Sequence, residues 1–139
     1  MGTLSARPGA LVLVVEDHED GRALMAVCLK MAGFEVIEAR DGVEAIRLAR
    51  ERQPHVIVLD LRMPRMDGWT AAGTLQTDLE TKRTPILAVS ADVYPEARAR
   101  AISAGCVAFM EKPIDPMRLV AEVHRALALG PAREDSGTG

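Results

Sequence analysis

Val56-Ile57-Val58-Leu59-Asp60-Leu61-Arg62-Met63-Pro64 is the stretch on which the fold of this chain turns. Four apolar residues stand in a row without alternation, so neither pleat face is left for water. The run predicts a parallel strand covered by helices on both sides. It ends on Asp60 and passes into a loop. Asp67 is the expected cap of the helix beyond, so capping does not account for a carboxylate at position 60.

Outward from this strand the pattern repeats. Leu11–Val15, Val36–Ile37, Ile86–Val89 and Val107–Met110 are further apolar runs, and a stretch with helical spacing follows each of the five. Leu24, Val27, Cys28 and Met31 predict one buried helix face; Ala45, Leu48 and Ala49, then Ala72, Leu75 and Leu79, then Val120, Val123 and Leu127 predict others. Gly33 and Gly105 fall where helices should end. Asp41-Gly42 reads as a helix cap rather than a hairpin turn, and Asp115-Pro116 as a cap followed by a first-turn proline. Val36-Ile37 lies between Glu35 and Glu38, which places the second strand at an edge. Short connections and right-handed crossovers then give an α/β fold: a flavodoxin-like, doubly wound five-stranded parallel sheet of order 2-1-3-4-5, with helices on both faces.

A chain of 139 residues has room for one domain, expected over residues 10–130, with flexible tails at 1–9 and 131–139. Its apolar fraction of 48% and charged fraction of 27% are those of a packed globular protein. Seventeen Lys and Arg against 20 Asp and Glu, interspersed, leave no basic footprint. With only 3% aromatic residues there is no stacking platform, so nucleic acid is not the expected partner. The apolar run Ala10–Val15 stops at Glu16, too short for a membrane span or a signal-peptide core, and a cytoplasmic location is expected. Cys28 and Cys106 read as small buried residues in a reducing compartment. His18, His55 and His124 have no zinc spacing, although His18 stands beside the first acidic pair.

In an open parallel sheet the ligand crevice lies beyond the carboxyl ends of the strands, where strand order reverses, here between the first and third. Glu16-Asp17, Asp60, Ser90 and Lys112 all fall at strand ends. Taken singly each has an ordinary reading: acids before a helix complement its dipole, Ser90 suits a turn, and Lys112 suits a solvated strand end. Together they read differently. Carboxylates gathered from neighbouring strands repel one another unless a cation neutralises them, and oxygen-only donors on loops suit Mg²⁺. A metal, a carboxylate nucleophile, a lysine and a hydroxyl are the parts needed to accept a phosphoryl group.

The ordered set Val14-Val15-Glu16-Asp17, Val58-Leu59-Asp60-Leu61-Arg62-Met63-Pro64-Arg65-Met66-Asp67-Gly68, Val89-Ser90-Ala91 and Lys112-Pro113 resembles the receiver domain of bacterial two-component response regulators, over about residues 10–129. The resemblance implies Asp60 as phosphoacceptor, Asp17 and Asp60 as direct ligands of Mg²⁺ (or Mn²⁺), Glu16 as a ligand through water and Arg62 as a backbone-carbonyl ligand. It implies Ser90, the Ala91 amide and Lys112 on the phosphoryl oxygens, a cis bond before Pro113, and switching through Ser90 and Phe109. Phe109 stands where the family often has Tyr and lacks the hydroxyl. Arg62 occupies a position that influences phosphoryl lifetime.

The function implied is a stand-alone switch rather than an enzyme, at most capable of slow self-catalysed phosphotransfer and dephosphorylation. A sensor histidine kinase or phosphotransfer protein would supply the phosphoryl group. A downstream protein target would be reached in trans, through the face formed by the fourth helix, fifth strand and fifth helix. Two other readings stay open: a Mg²⁺-dependent phosphatase of the haloacid dehalogenase type, which places a second Asp where this chain has Arg62, and an unphosphorylated docking module. A flavodoxin-type flavin carrier fits less well, because the acidic run 16–20 would repel the flavin phosphate.

Overall fold

Each of the five apolar runs forms a strand in the computed structural model, which describes residues 9–62, 68–91 and 96–129. The chain alternates β1 (Leu11–Val15), α1 (Glu19–Met31), β2 (Glu35–Ala39), α2 (Gly42–Arg52), β3 (Val56–Asp60), α3 (Gly68–Thr77), β4 (Ile86–Ser90), α4 (Glu96–Ser103), β5 (Ala108–Glu111) and α5 (Pro116–Leu129). The strands form one parallel sheet in the order β2-β1-β3-β4-β5, as the sequence predicts. Side chains of one strand point alternately to two cores. Leu13, Val15, Ile57 and Leu59 pack towards α2, α3 and α4, whereas Val12, Val14, Val56 and Val58 pack towards α1 and α5. That double coverage is why β3 reads as an unbroken apolar run.

β3 and β4 each run one polar residue past their apolar runs, to Asp60 and Ser90, and β2 and β5 differ at both ends. β2 extends over both flanking glutamates, because parallel pairing with β1 carries the ladder past the apolar pair: Glu35 lies opposite Leu11 and Glu38 opposite Val14. An edge strand leaves such side chains in water at little cost. β5 begins at Ala108, one residue after Val107, and runs on to Glu111.

The face expected to bury α1 is corrected. Leu24, Val27 and Met31 are 60%, 50% and 83% exposed, and the residues buried are Met25, Ala26 and Leu29. The helix carries two adjacent apolar stripes. A 3.6-residue period finds both but cannot choose between them; packing against β2 and α5 does. Leu79 is likewise exposed, because α3 ends at Thr77. Ala72, Leu75, Val123 and Leu127 are buried as expected, and Val120 is half-buried.

The punctuation holds. The Asp41 carboxylate accepts the Glu44 N–H at 2.9 Å, the Asp115 carboxylate accepts the Met117 N–H at 3.0 Å, and Gly33 and Gly105 both take φ +99° just past their helices. Cys28 and Cys106 are free, and burial pushes the Cys106 thiol up to about 11. Among the described residues no helix is long and apolar enough to cross a membrane. The Asp67 cap and the tails beyond Gly9 and Leu129 lie outside the described residues. Gly9 itself donates its N–H to the Gly33 carbonyl at 3.2 Å.

Candidate functional site

Parallel strands bring their carboxyl ends to one edge of the sheet, and the chemistry gathers there. Asp60 closes β3, Ser90 closes β4, Glu16 follows β1 and Lys112 follows β5. Backbone bonds extend the ladder past the strand ends and hold these residues in step: Glu16 N–H to Ala39 O at 3.1 Å, Leu61 N–H to Val89 O at 2.9 Å, and Lys112 N–H to Ser90 O at 2.9 Å.

Lys112 Nζ donates to Glu16 Oε1 at 2.8 Å and to Asp60 Oδ2 at 3.0 Å, so one ammonium bridges two carboxylates brought from the first and third strands. The remaining oxygen of each is also engaged, Glu16 Oε2 by the His18 N–H at 3.1 Å and Asp60 Oδ1 by the Arg62 N–H at 3.0 Å. Glu16 and Asp60 are 1% and 2% exposed, whereas Asp17 faces solvent. One carboxylate oxygen each from Glu16, Asp17 and Asp60 come within 4.8 Å of one another. Three hard oxygen donors converging on one point, two of them buried beside a single ammonium, are the donor set a small divalent cation takes.

Burial raises the Asp60 carboxyl most, and the neighbouring Glu16 charge raises it further. The Arg62 N–H and Lys112 pull it back only in part, leaving it at about 6. For Lys112 burial works against the charge, but the hydrogen bonds and charges of Glu16 and Asp60 outweigh it and hold the ammonium above its ordinary range.

Of the other expected site residues, Ser90, Ala91, Arg62 and Pro113 fall on the same rim, and Phe109 lies in the sheet behind it, opposite Ala88. Ser90 is buried one step beyond Val89, the residue opposite Asp60 in the β3–β4 ladder, and Ala91 follows it into solvent. The Arg62 side chain is exposed, and the Lys112–Pro113 bond is cis. Phe109 is buried, with the Arg98 guanidinium 5.7 Å from its ring centroid.

Sequence reasoning missed two supports. Gly68 opens α3 against the end of β3, its N–H donating to Leu61 O at 3.1 Å. A Cβ there would come under 3.0 Å from Leu61 Cα and Asp60 O, both backbone atoms. Gly68→Ala is therefore expected to cost about 3 kcal/mol, at the upper end for overpacking, and to displace the backbone that carries Asp60. Urea unfolding measures the first effect, and the Mg²⁺ dissociation constant the second. The other support is Arg22, one turn into α1, which donates from Nη1 to the Glu16 carbonyl and from Nε to Glu38 Oε1, both at 3.0 Å. The only signal of Gly68 in the sequence is its place after Asp67; nothing local marks Arg22.

Residues 12–124 match the model of the response regulator receiver domain. The chain belongs to that family. Among similar proteins, this receiver is 33% identical to the polar-differentiation response regulator DivK of Brucella anthropi over 116 residues, covering 84% of this chain and 94% of DivK. The chemotaxis protein CheY4 of Vibrio cholerae is 31% identical, with a TM-score of 0.80 over 85% of this chain and 98% of that one. The receiver domain of the sensor histidine kinase PA1611 of Pseudomonas aeruginosa PAO1, solved with a magnesium ion coordinated in its active-site cleft, is 27% identical. Its TM-score is 0.80 over 86% of this chain and 98% of its own. Receivers are phosphoacceptor modules of two-component signalling, and this chain has that family's fold throughout its described residues.

Proposed function

We propose that this receiver is a phosphorylation switch in which Asp60 accepts the phosphoryl group of a phosphohistidine on a sensor kinase or phosphotransfer protein. The gathering of Glu16, Asp17 and Asp60 at one sheet edge, with Lys112 bridging Glu16 and Asp60, carries this reading. An Asp60 carboxylate oxygen attacks phosphorus, the P–N bond breaks, and the imidazole leaves with its electron pair and takes a proton. Glu16 (through water), Asp17, Asp60 and the Arg62 carbonyl are the residues that would hold Mg²⁺ or Mn²⁺, which supplies positive charge for the transferring oxygens. Lys112 is already beside Asp60 and moves its hydrogen bonds from the free carboxylate to the phosphoryl oxygens. Ser90 and the Ala91 N–H supply the remaining donors.

The added charge of about −1.5 to −2 draws Ser90 towards the phosphoryl group and biases the α4–β5–α5 face, where a target protein reads the state in trans. Phe109 is buried in this structure and, unlike a Tyr, carries no ring hydroxyl to offer the switch a hydrogen bond. Output then rests on displacement of Ser90 and α4 rather than on a ring hydroxyl.

Acetyl phosphate with Mg²⁺ is expected to give one phosphoryl adduct by intact mass, absent in Asp60→Asn. A docking module would give none in either, and an adduct retained in Asp60→Asn would remove the assignment. The rate carries a pH signature. With the Asp60 carboxyl at about 6, the nucleophilic carboxylate is depleted below that value, and the metal-free midpoint lies there. Adduct formation at sub-saturating Mg²⁺ should fall about tenfold per pH unit below about pH 6. Saturating Mg²⁺ should move the midpoint downward, because a bound cation favours the charged carboxylate.

A further inference from the structure

We propose that Arg22, anchored by Glu38 on the edge strand, is a positioning residue for the Glu16–Asp17 acid pair and thereby sets the affinity of the site for a divalent cation. The inference rests on the cation site described above and concerns residues that do not belong to it. Glu16 is tied by its carboxylate to Lys112 and to the His18 N–H, and by its own N–H to Ala39 O. None of those bonds fixes the plane of the peptide that joins Glu16 to Asp17. The bond from Arg22 Nη1 to the Glu16 carbonyl does. In a planar trans peptide, fixing that oxygen fixes the N–H and the Cα of Asp17, the atom from which its side chain starts. Asp17 is the exposed member of the three acids, so its backbone is where packing can act on it.

Arg22 is itself held. Its side chain is only 12% exposed, lying between the end of β1 and β2, where Nε meets Glu38 Oε1 at 3.0 Å. An exposed pair of this kind would be worth little. A guanidinium that spends one arm on a carboxylate and another on a backbone carbonyl is oriented by the first to serve the second, a fork that a lysine ammonium lacks. The arrangement also gives the edge strand's second glutamate a task beyond solvation. Groups that orient metal ligands without touching the metal change affinity by roughly 10- to 100-fold when removed.

The test titrates Mg²⁺ into the full chain by calorimetry and separately measures the rate of adduct formation from acetyl phosphate across Mg²⁺ concentrations. Arg22→Ala is expected to weaken Mg²⁺ at least about tenfold while the rate at saturating Mg²⁺ stays within about twofold. A merely structural role would lower the folded fraction without producing this split. Glu38→Ala, which frees Arg22 while leaving it in place, should weaken Mg²⁺ in the same direction, and Arg22→Lys should fall between Arg22→Ala and the parent. Asp17→Asn is the reference. If it binds Mg²⁺ as tightly as the parent, the cation-site reading itself fails. If it loses binding while folded Arg22→Ala keeps the parent affinity, or if Arg22→Ala lowers the saturated rate with affinity unchanged, the positioning role is overturned. Should Arg22→Ala not fold, parent affinity in both Glu38→Ala and Arg22→Lys overturns it equally.

Discussion

Asp60→Asn is expected to yield a metal-free protein about 1–2 kcal/mol more stable than its parent at pH 8 and unable to accept a phosphoryl group. The reason is the environment that equips Asp60 for chemistry. A carboxyl whose pKa is higher in the fold than in the unfolded chain favours folding below the unfolded value, 3.8, and loses that contribution as pH rises through about 6. Above that range the buried, ionised Asp60 is a burden. Raising a carboxyl from 3.8 to about 6 corresponds to about 3 kcal/mol. The variant does not recover all of it, because Lys112 loses one of its two carboxylate partners. Urea melts at pH 8 and at pH 5 read the effect, and the gap should narrow at the lower pH, where the parent is protonated. Added Mg²⁺ should stabilise the parent by mass action and the variant far less. A variant less stable than the parent at pH 8 would contradict the account.

Lys112→Ala is expected to act in the opposite direction and more strongly. It leaves Glu16 and Asp60, 1% and 2% exposed, without the ammonium that bridges them. Removing one partner of a buried ion pair costs about 3–5 kcal/mol. Because the cost lies in two neighbouring negative charges, it should shrink as pH falls below about 6 and Asp60 takes up a proton. It should shrink also on adding Mg²⁺, with metal binding retained. Phosphoryl acceptance should drop about 100-fold, the loss seen when a single donor to developing oxygen charge is removed. Melts at two pH values with and without Mg²⁺, beside rates from acetyl phosphate, separate the structural from the chemical part. A loss of stability independent of both pH and Mg²⁺ would mean that Lys112 acts through packing instead.

Much of this site is legible before any coordinates. An apolar run closed by Asp60, an acidic pair after another such run, and Lys112 after a third require only that the runs be parallel strands, and their double-sided apolarity says that they are. The edge position of β2 was equally readable from Glu35 and Glu38, although their number does not reveal that Glu38 would meet a guanidinium from α1. The face of α1 was not readable, since Leu24-Val27-Met31 and Met25-Leu29 are equally good stripes one residue apart. Gly68 shows the same limit from the side of space: its need for a missing Cβ arises from Leu61 and Asp60 backbone atoms that only the packed α3 brings close.

What the amino-acid order alone determined is the succession of strands and helices, the sheet order, and the four charged residues delivered to one rim. Those follow from periodicity and from where a polar residue interrupts an apolar run, which are properties of adjacent positions. What the tertiary structure decided is which stripe of α1 is buried, how Lys112 reaches Glu16 across 96 positions and Asp60 across 52, and that Arg22 grips both the Glu16 carbonyl and Glu38. These are contacts between segments distant along the chain, and their geometry exists only once the whole sheet and its two helical layers have packed.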